Sequence, residues 1–92
     1  MSLQISDAVI WQETAEGISL YHTETGEFHA LNETAARIWA LVASDGEREP
    51  IISKLSREFA GSNALVSARI RMDVEDFIGM MIKGELIEEL PA

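Results

Sequence analysis

The sequence predicts an α+β fold in which a three-stranded antiparallel sheet is followed by three helices. The first third carries β-branched and aromatic residues in period-two alternation between turn residues, and the remainder carries apolar residues at helical spacing. No repeat, low-complexity tract or linker divides the chain, so its 92 residues are expected to form one domain, 1–92, around one core. A chain of this size buries roughly 60–65% of its unfolded surface, enough to fold without staples.

The first strand is expected over Ala8-Val9-Ile10-Trp11-Gln12-Glu13-Thr14, with Ala15-Glu16-Gly17 as its turn. Ile18-Ser19-Leu20-Tyr21-His22 alternates as the second strand. Thr23-Glu24-Thr25-Gly26 ends in a glycine suited to positive φ, and Glu27-Phe28-His29-Ala30-Leu31 completes a meander. A meander leaves two edges unpaired, one of them on the Glu27–Leu31 strand.

Asn32 is a good N-cap, with Glu33 in the first turn and Ala35, Ile38, Trp39 and Val42 repeating behind it, and this helix stops at Ser44-Asp45-Gly46. Pro50 suits the first turn of a second helix, whose stripe is Ile51, Leu55 and Phe59. Ala60-Gly61-Ser62-Asn63 ends that helix. A third helix over Leu65 to Lys83 buries Ile70, Val74, Phe77, Ile78 and Met81, tolerates Gly79, and is capped by Gly84. Leu86 and Ile87 fit either a return along the sheet or a packed tail.

Composition sets outer limits on function. Apolar residues make up 47% of the chain and charged residues 25%, which is ordinary globular usage. The absence of cysteine excludes disulfides, a thiolate nucleophile and cysteine-ligated zinc. Seven Lys and Arg against sixteen Asp and Glu give a formal charge of −9, which repels nucleic acid and anionic lipid and favours a basic partner. The first seven residues carry no basic stretch, and no apolar run approaches the roughly 20 residues of a membrane span. A cytoplasmic protein without a membrane partner is therefore expected.

Little in the chain supports catalysis. His22 and His29 are the two histidines, seven apart across a turn. On paired strands they could face each other and bind a metal, but no ligand motif surrounds them, so both are read as ordinary surface histidines and neither a metal nor a cofactor is expected. Asp73 and Asp76, three apart, share one side of the third helix beside its apolar stripe and are candidates for contacting a basic peptide. Met80 projects on the same flank, where a flexible thioether suits variable partners, and Met72 points further toward solvent. Trp11 and Trp39 are read as core anchors.

Together, Trp11, Gly17-Ile18-Ser19-Leu20-Tyr21, Thr25-Gly26-Glu27-Phe28-His29-Ala30-Leu31-Asn32, Ala35-Ala36-Arg37-Ile38-Trp39, the Ile51/Leu55/Phe59 stripe and Asp73-Val74-Glu75-Asp76-Phe77 resemble the PqqD-like family. These domains recognise peptides in pathways that make ribosomally synthesised, modified peptides, and the likeness spans about residues 8 to 87. It implies a winged-helix-like fold. The leader segment of a precursor peptide would then add as a strand along Phe28, His29, Ala30 and Leu31, beside the helix that carries Asp73, Asp76 and Met80. It further implies a partner processing enzyme, such as a protease, cyclase or radical enzyme. Within the family the pattern looks most like the leader-binding proteins of lasso-peptide pathways, and is also similar to the PQQ-pathway chaperone.

Two other readings compete. Three helices and a small sheet also describe a winged-helix DNA-binding module, but Arg69, Arg71 and Lys83 on the third helix are offset by Asp73, Glu75, Asp76 and Glu85. The other is a self-associating subunit whose free edge pairs with its own copy.

Overall fold

The computed structural model describes residues 2–91. In chain order the elements are β1 (Ser2–Ile5), β2 (Val9–Thr14), β3 (Gly17–His22), β4 (Phe28–Leu31), α1 (Glu33–Ser44), α2 (Arg48–Phe59), α3 (Ala64–Lys83) and β5 (Ile87–Leu90). The α+β class and the antiparallel β2-β3-β4 meander are as expected.

A second, two-stranded sheet was not anticipated: β1 pairs antiparallel with β5, Leu3 opposite Glu89 and Ile5 opposite Ile87. The open alternative for Leu86 and Ile87 thus resolves as a strand that begins at Ile87, just after Leu86, and that joins β1 instead of the meander. Leu3, Leu86 and Ile87 are buried, which gives this ribbon its anchorage. The Leu3 N–H also donates to the Gly46 carbonyl at 2.6 Å, tying β1 to the α1–α2 turn.

Register explains which residues enter the core. Val9, Ile18, Leu20 and Leu31 lie on one face of the meander and are buried, in one cluster with Ile38, Trp39, Leu41 and Val42 of α1. Gly17 begins β3 because β4 ends against it: a Cβ there would sit 1.9 Å from the Leu31 carbonyl oxygen. Asn32 caps α1 as expected, its side chain accepting from the Ala35 N–H at 2.9 Å. Trp39 is fully buried and meets Trp11 edge-on, ring centroids 6.2 Å apart, while Trp11 itself is half-buried.

One expectation about the helices needs correction. Phe59 is 54% exposed: as the last residue of α2 it overhangs the core, and Ile52 takes a buried place beside Ile51 and Leu55. At the end of α3, Gly84 is the C-cap as expected, with φ −82°, and the left-handed residue is Glu85 at φ 63°. The Ala60–Asn63 segment ends α2 as expected, and its Asn63 also caps α3 by accepting from the Val66 N–H. Within α3, Val74, Ile78 and Met81 are buried, Ile70 and Phe77 are half-buried, and a Cβ on Gly79 would meet open space, so that glycine is tolerated.

Ion pairs bridge neighbouring helices. Arg37 of α1 grips Glu58 of α2 through two guanidinium nitrogens, and Arg71 of α3 holds Glu49 of α2 at 2.9 and 3.1 Å. Each arginine's hydrogen bonds hold its partner's carboxyl below the usual carboxylate range. A lowered carboxyl pKa stabilises the fold at neutral pH and forfeits that gain as pH falls through the lowered value. Both pairs are solvent-exposed, so the effect is small.

Candidate binding edge and its supporting histidine

The site begins with the unpaired edge of β4. In an antiparallel pair, residues whose N–H and C=O point to the neighbour alternate with residues whose groups point away. The register sets Ile18 opposite Leu31, Leu20 opposite His29 and Tyr21 opposite Phe28. One step further, the His22 N–H donates to the Glu27 carbonyl at 2.9 Å. The narrow pairs are therefore His22–Glu27, Leu20–His29 and Ile18–Leu31. Phe28 and Ala30 fall between them and direct their N–H and C=O to the free edge.

The same register separates the expected site residues by face. His29 and Leu31 share the core face with Leu20 and Ile18; Leu31 is buried, and His29 is half-buried with its ring 3.2 Å from the Glu27 carboxylate. Phe28 and Ala30 occupy the opposite, outer face and are exposed. Their side chains point to the side of the sheet away from α1.

On α3, Asp73, Asp76 and Met80 are all exposed. Arg71 and its partner Glu49 mark the side that faces α2, and at 100° per residue Asp73 and Met80 project from the other flank, while Asp76 turns further out, away from the buried Val74 and Ile78. Asp73 is matched by Arg69 at 3.2 Å, whereas Asp76 has no ion pair among the described residues. Asp76 is thus the freer carboxylate for a basic ligand. Met80, 67% exposed, stands beside it.

His22 supports the β3–β4 loop and lies elsewhere than the sequence suggests. It is 2% exposed, not a surface histidine, because it continues the core parity of Ile18 and Leu20. Its Nδ1 accepts from the Glu24 and Thr25 N–H groups, each at 3.2 Å, and its Nε2 lies 3.2 Å from the Glu85 carbonyl. Two donors at Nδ1 leave the ring proton on Nε2, which donates to Glu85. One imidazole thereby holds the β3–β4 loop, where Gly26 adopts φ 76°, against the end of α3. It is opposite Val9, not His29, so the facing pair of histidines does not form. No cluster of three metal-ligating side chains occurs among the described residues.

His22→Leu strands two N–H groups and a carbonyl, and should cost about 1–3 kcal/mol in urea unfolding. His22→Gln, which keeps an acceptor and a donor, should recover part of that loss. Equal destabilisation by both would mean that packing, not the hydrogen bonds, is what His22 supplies.

A depression of about 660 Å³ lies elsewhere, between the β2–β3 hairpin, α1 and Phe59, with the Arg37–Glu58 pair in its wall. It is open and no histidine lines it, and the β4 backbone edge is the better-defined candidate. No helix among the described residues is long and apolar enough to cross a membrane.

No curated protein sequence matches the chain. Two solved structures share its fold. "TbiB1 in complex with the TbiA(beta) leader peptide" is 26% identical with a TM-score of 0.82, covering 97% of this chain and 99% of the other. "Lasso peptide synthetase B1 complexed with the leader peptide" is 16% identical with a TM-score of 0.81, covering 97% and 100%. The family model described as coenzyme PQQ synthesis protein D matches residues 17–87, from the start of β3 to the start of β5. That span takes in the β4 edge, His22 and all of α3, and the chain belongs to the PqqD family.

Proposed function

We propose that this chain is a non-catalytic, cytoplasmic binding unit acting as a single domain. It takes up the leader segment of a ribosomally made precursor as an extra strand on β4 and presents it to a separate processing enzyme. The observation that carries this reading is the β4 edge, where Phe28 and Ala30 offer outward N–H and C=O groups in alternation. The leader peptides named in both similar structures support it. Each added ladder bond contributes about 0.5–1.5 kcal/mol net, so the backbone supplies affinity and the side chains supply choice.

In this reading the peptide runs between the β4 edge and the α3 flank of Asp73, Asp76 and Met80. The charge of −9 and the unpaired Asp76 favour a basic residue on the peptide's helix-facing side. Titrating a lysine-containing bound peptide against Asp76→Lys should show about fivefold weaker affinity at low salt, the difference fading as salt rises. The melting temperature should not change. Unaltered affinity at low salt would remove Asp76 from the site.

Duplex DNA is a poorer partner. Arg69 is engaged by Asp73 and Arg71 by Glu49, which leaves Lys83 as the one α3 cation without an ion pair among the described residues. A reader helix needs several free cations to meet phosphates.

A further inference from the structure

The outer face of the meander carries a row that nothing in the fold uses. The register places Ile10 opposite Tyr21 and Tyr21 opposite Phe28, so the three side chains stand abreast across β2, β3 and β4. Their exposures are 63%, 43% and 66%, against complete burial of Leu20 on the other face. A shallow depression of about 360 Å³ lies along this row, bordered by Gln12 and Ser19. The row ends at Phe28, on the free edge.

The hydrogen-bond phase of β4 says what continues the row. Phe28 directs its N–H and C=O outward, so an added antiparallel strand places one residue directly opposite it in a narrow pair. Directly opposed residues share a face of the sheet, so that residue projects on the outer side, next to the Phe28 ring. Its neighbours in the peptide project toward His29 and α3.

We infer that the bound peptide carries an apolar or aromatic residue opposite Phe28, extending the Ile10–Tyr21–Phe28 row by a fourth member. The inference rests on strand addition at β4 and adds a specificity determinant on the face away from α3. Ala30, two residues along and also outward-facing, offers no comparable side chain, so the preference is confined to one position.

The test uses a displayed library of random 12-residue peptides, selected on the full-length protein and on Phe28→Ser. An enriched peptide and its single-alanine variants are then titrated against both proteins, with Tyr21→Ser as a second variant and thermal melts as folding controls. One apolar peptide position is expected to lose about tenfold in affinity on alanine substitution against the unmodified protein, and much less against Phe28→Ser. Enriched peptides whose alanine variants show no such coupling to Phe28, while still slowing exchange of the Ala30 amide, would overturn the inference and leave strand addition standing. Failure to enrich any peptide that protects the Ala30 amide would overturn both. Sedimentation of the free protein as a dimer that Phe28→Ser dissociates would assign the row to a second copy instead.

Discussion

Replacing Ala30 by proline is expected to abolish peptide binding while leaving the fold intact. The Ala30 N–H points away from β3, so proline removes a donor that the folded protein does not use but an added strand requires. Its ring also occupies the space into which the incoming backbone must come. Replacing His29 by proline should act on the opposite quantity, because the His29 N–H belongs to the narrow pair with Leu20. That substitution breaks the β3–β4 ladder and lowers stability by about 1–3 kcal/mol. Urea unfolding and peptide titration of the two variants should separate cleanly, affinity lost in one and stability in the other. A reversed pattern would mean that the phase of β4 is misassigned.

The largest effect on stability is expected on α3. Val74 is 2% exposed within the core cluster, and Val74→Asp buries an uncompensated carboxylate there. The cost should exceed about 4 kcal/mol, enough to unfold most of a domain this small at neutral pH. Circular dichroism should show loss of the cooperative transition. The contrast with Asp76→Lys, two residues away on the exposed flank, should place folding and binding on separate sides of one helix. A well-folded Val74→Asp protein would contradict the burial on which that division rests.

The parts legible in the sequence were those with a local signal. Alternation in Ile18–His22, the turn glycine Gly26 and the Asn32 cap each act within a few residues, and the meander and α1 followed from them. The β1–β5 ribbon was not legible because its strands are four residues long and pair residues from opposite ends of the chain. No local periodicity announces such a pairing. Phe59 kept the stripe spacing but lies in the last turn of α2, where the core no longer covers it.

The site divided in the same way. An exposed edge on the third strand could be read from the order of the elements, as could the flank shared by Asp73 and Asp76. Which residues of β4 face outward could not, because the phase depends on the His22–Glu27 hydrogen bond that closes the hairpin loop. His22 was misjudged for a different reason. Its residue type suggested the surface, although its position two after Leu20 already placed it on the core face. The parity was the stronger signal.

The central claim is that β4 is completed by an added strand, and residue-resolved amide exchange on the full-length protein tests it most directly. His29 and Leu31 amides, already bonded to β3, should exchange slowly with or without a library-selected peptide. Phe28 and Ala30 amides should exchange quickly in the free protein and become protected when the peptide is added. Protection that instead appears along α2 or the β2 edge, with Phe28 and Ala30 unchanged, would contradict the account.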